Sequence, residues 1–479
     1  MVVQQTTLTR RLFLAALAGG TAALLAACGG TTSTVTTAPG TSAAAGQPAR
    51  TAGTASGPAT TRVAGAITAS ASSAAPAGKG KTVRVLTADY QTPATQQWFD
   101  QKLNPAFATR YGANVEVEYA GWGNPFNSKR DAEFAAGDAP DILGSGAVMV
   151  VDYALRGYLR PIDDYLARWP DNSDFYPVTV NATTYQGKRY GVPTRVDARA
   201  MLYRVDLMQA AGLDPKQLPQ TWDDMQSYSV RLTAHTGTAV TRLGYDPGFG
   251  NQQFFPYLWQ NGGDVISEDG RHALFASEAG FEALQYWADL ITYIDPPGTK
   301  LPAPPSGSSP LQAGSVAASM GGAGVMFNVQ KTDPSQLTDF AIAPPLKRKK
   351  QTINVFPNWH GVTSQSKDAE LAWSWLAMLT SKEYLLDYNQ PFGAMPPRES
   401  LRTAGYMADP KLQMATVADV VLHYAQPQPL VAAFAQCWAI MDKEIATVFA
   451  KTATAKDALT SAAQQWDAAI AQDYANAGK

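Results

Sequence analysis

The strongest constraint on the fold is an alternation of strand-like and helix-like segments that starts about eighty residues into the chain. Residues 81–90 (KTVRVLTADY) and 113–121 (ANVEVEYAG) alternate apolar and polar side chains, as half-buried strands do. A third short apolar segment lies at 142–143, and helix-like stretches separate the three. This β-α-β-α-β order predicts a mainly parallel sheet with helices on both faces. Asn104-Pro105 is expected to break or bend the first helix.

The ends of these predicted strands are candidate ligand positions. In open parallel sheets, ligands bind beyond the carboxyl ends of the strands. Polar, aromatic or glycine-flanked residues follow each of the three strands, and the candidates are Asp89, Tyr90 and Gln91, then Trp122, then Ser145.

The length of the folded part predicts two lobes, because about 400 residues exceed a single hydrophobic core. Residues 278–291 and 370–389 are each predicted to form one amphipathic helix. Residues 295–309 are rich in proline and glycine and are predicted to form a loop. No internal repeat is evident.

The N-terminus has the pattern of an export signal. Arg10 and Arg11 precede an apolar stretch that is too short to span a bilayer and ends in small residues. The arginine pair resembles a twin-arginine signal, and LAAC at 25–28 resembles a lipobox. We therefore expect residues 1–27 to be removed and Cys28 to carry lipid. A plain secretory signal with an incidental cysteine is the alternative.

The cysteine count and the segment after the signal agree with this prediction. If Cys28 is acylated, Cys437 has no disulfide partner, and its apolar neighbours predict that it is buried. Residues 28–80 are nearly all Ala, Thr, Ser, Gly and Pro, which predicts a flexible linker. Such a coil of about fifty residues reaches roughly 40 Å. The folded part would then work on the outer face of the cell membrane, in a periplasm or at the cell surface, attached by lipid alone.

Composition limits the partners. Charged residues are 16% of the chain and the net charge is −2; loss of Arg10 and Arg11, with no acidic residue, makes it −4. No basic stripe suggests nucleic-acid binding, and the cationic run 347–350 is typical of a solvated loop. The four histidines lack metal-ligand spacing, so neither a metal nor a cofactor is predicted.

Five segments, in one order along the chain, resemble a known family. They are DAEFAAGDAPDIL (131–143), YGVPTRVDARAMLYRVDLMQAAGLDPKQLPQTWDDM (190–225), LWQNGGDVISEDGRHALFASEAGFEAL (258–284), ELAWSWLAMLTSKEYLLDYNQPFGAMPPRES (370–400) and TATAKDALTSAAQQWDAAI (452–470). Together they resemble the extracellular solute-binding proteins of ABC importers, in particular the carbohydrate-binding group that includes maltose-binding protein. The resemblance covers about residues 81–475.

The resemblance implies a fold and a mechanism. The fold is an α/β, two-lobed, periplasmic-binding-protein-like fold, each lobe a mainly parallel sheet flanked by helices, with the ligand cleft between the lobes. Residues 81–195 and 345–402 would form lobe 1, and residues 196–344 and 403–479 would form lobe 2. A monomer would capture a small solute, a sugar or an oligosaccharide, close over it about hinge strands, and deliver it to ABC permease subunits without chemistry on the solute.

The resemblance also implies site residues. Asp197 corresponds to an acidic residue that binds sugar hydroxyls, and carboxylates make strong charge-assisted hydrogen bonds. Arg195 or Arg199 would keep it ionised and oriented. Flat rings suit the apolar faces of a sugar. Further candidates from the resemblance or from local context are Trp122, Trp359, Trp438, Tyr245 and Asp246, whereas Trp259 and Asn261 are expected to be structural.

One stretch departs from the family pattern. Residues 316–329 (VAASMGGAGVMFNV) lack the tryptophan that commonly follows the strand ending near Met320. A missing stacking platform would suit a ligand of another shape.

Other functions remain open from the sequence alone. The same fold could bind a phosphate ester, through Arg195 and Arg199, or a polyamine or a peptide. A lipid-anchored glycosidase would need two opposed carboxylates. The candidate pairs, Asp163-Asp164 and Asp223-Asp224, lie instead where helices are predicted to begin. A cell-surface adhesin would leave the hinge-like segments unexplained.

Overall fold

One mixed sheet runs through the part of the chain that the computed structural model describes, residues 78–88, 92–146, 148–248, 251–294, 301 and 303–477. The predicted signal, Cys28, the linker up to residue 77 and the candidates Asp89, Tyr90 and Gln91 lie outside these residues. The last three residues of the predicted linker, 78–80, lie inside the fold, because the Gly78 amide donates to the Tyr111 carbonyl at 2.9 Å. The strands are β1 (Thr82–Thr87), β2 (Asn114–Tyr119), β3 (Ile142–Gly146), β4 (Thr184–Tyr185), β5 (Lys188–Arg189), β6 (Val192–Arg204), β7 (Ala234–Thr236), β8 (Ala239–Arg242), β9 (Ala318–Gly322), β10 (Phe340–Ala343), β11 (Ile353–Val362) and β12 (Ala425–Pro427).

Helices cover both faces of this sheet. They are α1 (Pro93–Trp98), α2 (Asn104–Tyr111), α3 (Asn124–Ala135), α4 (Met149–Leu155), α5 (Asp163–Ala167), α6 (Pro177–Asn181), α7 (Val205–Ala210), α8 (Trp222–Leu232), α9 (Asn251–Gln260), α10 (Glu278–Ile294), α11 (Val325–Thr332), α12 (Ala369–Leu379), α13 (Lys382–Asn389), α14 (Met414–Tyr424), α15 (Phe434–Phe449) and α16 (Ala455–Ala477). Short 3₁₀ turns occupy Pro170–Ser173, Pro334–Asp339, Gln390–Phe392, Glu399–Leu401 and Gly405–Ala408. No helix among the described residues has both the length and the apolar character needed to cross a membrane.

The strand order in the mixed sheet is β10-β6-β11-β3-β1-β2, with β9 paired to β6 and β12 paired to β11, while β4 with β5 and β7 with β8 form two separate hairpins. β1 pairs in parallel with β2 and β3, as the alternating pattern predicts. β6 pairs antiparallel with β11, β9 and β10. The predicted α/β fold with flanking helices is confirmed, and the parallel pairing is concentrated in β1, β2 and β3.

Two predicted helices differ in detail, and both differences have a local cause. Asn104-Pro105 does not end the first helix; a π-helical turn, Phe99–Leu103, precedes α2, and Pro105 occupies its first turn, where no backbone donor is needed. The predicted helix 370–389 is two helices, because α12 ends at Leu379 and the Thr380 hydroxyl bonds back to the Leu376 carbonyl.

Hydrophobic cores lie on both sides of the sheet. One core contains only residues of the segments predicted for lobe 1, for example Val85, Phe107, Ile142 and Trp375. A larger core includes Trp287, and in it Cys437 is a fully buried free thiol, as predicted. Trp259 and Asn261 are also buried, and the Asn261 amide donates to the Ala279 carbonyl. Their predicted structural roles are confirmed.

Candidate functional site

The register of the sheet brings residues of three strands into one row. Gly146 of β3 lies opposite Asn358 of β11, and Asn358 lies opposite Arg195 of β6. Cross-strand neighbours project to the same face of a sheet, and so do residues two apart along a strand. Asp197 and its neighbour Phe356 therefore share this face with Arg195. We call these positions the crossover row.

Trp122 lies at one end of the crossover row. It stands between Gly121 and Gly123, whose φ angles of 73° and 93° favour glycine. Its ring is 39% exposed. A Cβ atom on Gly146 would lie 2.8 Å from Cη2 of this ring, so the ring rests directly on the Gly146 backbone. The absence of a side chain at 146 creates this platform.

Asp197 and Arg199 form the other end of the row. The Arg199 Nη2 atom donates to Asp197 Oδ2 at 3.1 Å, and the side chains are 24% and 45% exposed, respectively. The Arg199 guanidinium also lies over the Phe356 ring, 4.9 Å from its centroid. The Asp197 carboxylate also lies against Gly322 on β9, because a Cβ atom built on Gly322 would stand 3.1 Å from Asp197 Oδ1. The Asp197 carboxylate is thus oriented through the bond from Arg199 to one of its oxygens, and its side chain remains accessible to solvent.

The separation of the two ends follows from strand geometry. Gly146 and Asp197 are two strand spacings and two residues apart, which places their backbones about 12 Å apart. Between them lie Arg195 and Asn358, both buried. The Arg195 guanidinium is stacked on Phe392, 4.2 Å from the ring centroid. The row therefore has an exposed aromatic ring at one end and an accessible carboxylate at the other, with two buried polar side chains between them.

Trp359 and Ser145 lie one residue out of phase with the row. They are cross-strand neighbours, and both are buried. The Trp359 indole donates to the Gly146 carbonyl at 2.8 Å. The Ser145 hydroxyl lies 3.4 Å from the Tyr153 hydroxyl, and burial raises the pKa of Tyr153 to about 12, so this phenol stays protonated. These side chains fix the backbone beneath the Trp122 ring.

Tyr245 and Trp438 are not brought to the crossover row. Tyr245 is buried, its hydroxyl lies 3.0 Å from that of Tyr257, and burial raises its pKa well above the usual range. Trp438 is 8% exposed and packs against Phe434 and Trp466. Both side chains contribute to the larger core.

Sequence reasoning missed Phe356, Asn358 and Gly322. Phe356 and Asn358 lie on β11, whose pairing with β6 and β3 is set by contacts distant in sequence. The alternation of Phe356 and Asn358 along the strand was the available signal, but it does not reveal which strands are neighbours.

Other chemistry has little support in the described part of the chain. No group of three His, Cys, Asp or Glu side chains there could hold a metal ion. Asp224 is part of a capping box with Thr221, and Asp163 and Asp164 occupy the first turn of α5, as predicted. A separate cavity of about 300 Å³, between α3 and the end of α4, contains none of the candidate residues; its lining includes Asp131, Phe134, Arg156, Tyr158 and Gln365.

Comparison with known proteins decides the family. The profile described as bacterial extracellular solute-binding protein matches residues 89–385, more than half of the chain. The chain belongs to this family. A solute-binding protein needs a site that binds and releases a small molecule. The family and the similar structures are binding proteins.

Individual relatives have low sequence identity to this chain, but their alignments cover more than half of it. A binding protein of Brucella abortus (strain 2308) is 24% identical over 333 residues, which are 66% of this chain and 75% of that protein. A lactose-binding protein of Rhizobium radiobacter is 26% identical over 258 residues, 52% of this chain and 55% of that protein. The structure resembles an ABC transporter solute-binding protein of Thermotoga lettingae TMO bound with α-D-tagatose, with a TM-score of 0.68 and 22% identity over 81% of this chain and all of that one. This structural likeness confirms the two-lobed fold.

Proposed function

We propose that this solute-binding protein captures a sugar or an oligosaccharide between its lobes and delivers it to an ABC permease. The observation that carries the proposal is that Trp122, which rests on Gly146, and the Asp197 carboxylate are both exposed on one face of the sheet. The backbones of Gly146 and Asp197 are about 12 Å apart. A ring takes the apolar face of a sugar, and a carboxylate accepts its hydroxyl hydrogens. The sugar ligands named for the lactose-binding and tagatose-bound relatives support the same class.

The lobes in this proposal are residues 81–195 with 345–402, and residues 196–344 with 403–479. The hydrophobic core that draws only on the first set supports this division. β6 contains the proposed boundary between residues 195 and 196, and β11 pairs with β6 at this point. These two strands therefore serve as the hinge strands. Closure would bring further groups of lobe 2 onto a solute already held by Trp122 of lobe 1 and Asp197 of lobe 2.

Different residues take different roles in the proposed site. Asp197 and Trp122 contact the solute. Arg199 orients the Asp197 carboxylate, and Arg195 is a buried support between the two contacts. Trp359 and Ser145 support the platform from the opposite face. Tyr245 and Trp438 would contact solute only after a rearrangement of the core that buries them. The last residue of β1, Thr87, is the cross-strand neighbour of Gly144. We propose that the residues that follow β1 in sequence, Asp89, Tyr90 and Gln91, are further solute contacts.

Removal of the Trp122 ring should weaken sugar binding without harming the fold. Trp122→Ala is expected to raise the dissociation constant about tenfold, because one stacking contact is lost. Stability should change little, since the ring is 39% exposed. Calorimetric titration measures the affinity. Trp169→Phe, at a lobe 1 tryptophan that packs on Trp373 and Phe175, is the control and should leave the affinity unchanged. An unaltered affinity in Trp122→Ala would remove the ring from the site.

The export signal and the anchor belong to the same proposal. A solute captured outside the cell must reach a permease in the membrane, and a lipid on Cys28 with a flexible linker would keep the protein nearby. Cys28→Ser in the full chain should move the protein from the membrane fraction to the soluble exported fraction. Retention of Cys28→Ser in the membrane fraction would contradict the lipid anchor, and Cys437→Ser is the matched control.

A phosphate ester is the second candidate solute. Arg199 favours it, because its side chain is 24% exposed and a planar guanidinium suits the bidentate binding of phosphate. A phosphate would compete with Asp197 for this guanidinium. Titration with glycerol phosphate separates the two candidates, since Arg199→Lys should abolish tight binding of the ester but not of a neutral sugar.

A further inference from the structure

Residues assigned to different lobes also meet away from the crossover row. Arg156, just after α4, and Tyr185, in β4, belong to the proposed lobe 1. Asp473 and Tyr474, near the end of α16, belong to the proposed lobe 2. Arg156 Nη2 lies 3.6 Å from Asp473 Oδ1, and the Tyr185 hydroxyl donates to the Tyr474 hydroxyl at 3.3 Å. We call these four residues the lobe bridge.

The lobe 1 half of the bridge is fixed by its own lobe. Arg156 Nε donates to Asp152 Oδ1 on the preceding helical turn at 2.6 Å. Tyr185 sits beside the turn of the β4–β5 hairpin, where Gln186 and Gly187 have φ angles of 49° and 74°. The Gln186 amide donates to the Tyr185 hydroxyl at 3.1 Å. The hairpin therefore presents Tyr185 in a defined direction.

The lobe 2 half is fixed in the same way. Asp473 Oδ2 accepts the Ala433 backbone amide at 3.1 Å, at the residue before α15. Arg271 covers the Tyr474 ring, 4.1 Å from its centroid. The helix α16 that carries both residues packs along α15 and α10. A movement of one lobe against the other must therefore strain or part the bridge.

We infer that Arg156, Tyr185, Asp473 and Tyr474 are positioning residues that set the arrangement of the lobes and, through it, solute affinity. The inference rests on the lobe division given under the proposed function, and the effect on affinity rests also on the proposed solute capture. The Arg156 and Asp473 side chains are 48% and 19% exposed, so water competes for the ion pair. Such a bridge shifts a two-state equilibrium by a few-fold and still lets the lobes part.

Spin-label distances test the inference without any solute. The full chain with Cys28→Ser carries labels at two exposed lysines changed to cysteine, Lys367 in lobe 1 and Lys456 in lobe 2, since Cys437 is buried. Arg156→Gln combined with Tyr185→Phe should broaden or displace the interlobe distance distribution. The control is Arg168→Gln, which breaks an exposed ion pair with Glu370 inside lobe 1 and should leave the distribution unchanged.

A second variant guards against misfolding. Asp473→Asn keeps an oxygen for the Ala433 amide and removes only the ion pair, so it should give a smaller displacement in the same direction with less risk to α15. Lactose titrations of these variants should show dissociation constants altered at least threefold if lactose binds. A displaced distribution with no binding of any sugar would support the bridge and refute the sugar proposal. Distributions identical to those of the unchanged chain, in both bridge variants, would overturn the bridge.

Discussion

Asp197→Asn is expected to weaken sugar binding by about tenfold to a hundredfold. The change removes a charge-assisted acceptor, which contributes about 1.5–3 kcal/mol, while leaving the shape of the side chain intact. The fold should survive, because this side chain is 45% exposed and its pair with Arg199 is open to solvent. Calorimetric titration measures the dissociation constant of the variant for the sugar that binds the wild-type protein.

Asp206→Asn is the matched control for that experiment. Asp206 also pairs with an arginine two residues away, Arg204, at 2.7 Å, but that pair lies at the far end of β6. Arg204 keeps its bonds to the Leu311 and Gln312 carbonyls in the variant. We expect its sugar affinity to stay within twofold of the unchanged chain. Equal losses in Asp197→Asn and Asp206→Asn would show that the effect is not local to the crossover row.

Among the proposed variants, Asp174→Asn should cause the largest loss of stability, a decrease of about 3 kcal/mol in the free energy of unfolding. Its partner Arg398 is fully buried, lies 4.0 Å from the Phe175 ring centroid, and donates to the Thr380 carbonyl. Loss of the carboxylate charge leaves a buried cation without compensation. Urea unfolding at pH 7 measures the change. Asp138→Asn, at a 64% exposed side chain paired with Arg84, should cost less than 1 kcal/mol.

The same pair predicts a pH dependence. Partial burial acts to raise the pKa of Asp174, but the hydrogen bond from Ser400 and the charge of Arg398 outweigh it and lower the pKa below its usual value. A carboxyl with a lowered folded-state pKa stabilises the fold above its unfolded pKa, and that contribution is lost as pH falls through the lowered value. The difference between the unchanged chain and Asp174→Asn should therefore shrink below about pH 4. A difference that is constant from pH 7 to pH 3 would contradict this assignment.

Local patterns predicted the elements better than their partners. β1, β2 and the helix beginning at Glu278 follow from periodicity in the sequence. The pairing of β6 with β11 does not, because residues about 160 positions apart meet only in the folded chain. The crossover row depends on that pairing, so Asn358 and Phe356 could not be placed beside Arg195 and Asp197 in advance.

Burial separated tryptophans that the sequence treated alike. Trp122 and Trp359 both follow or interrupt strand-like segments near glycine. Only Trp122 stands in a turn whose neighbours have positive φ angles, and it is exposed; Trp359 is inside a central strand and is fully buried. Which face of a central strand meets a ligand depends on what packs there, and sequence spacing does not record it.

Thermal unfolding of the full chain against a solute panel tests the central proposal most directly. The panel contains mono- and oligosaccharides, glycerol phosphates and polyamines. A solute at a hundred times its dissociation constant should add about 2.7 kcal/mol to the free energy of unfolding. We predict stabilisation by one class of sugar and its loss at the same concentration in Asp197→Asn. Stabilisation by glycerol phosphates or polyamines alone would contradict a sugar site, and breakdown of any panel member would contradict a binding protein.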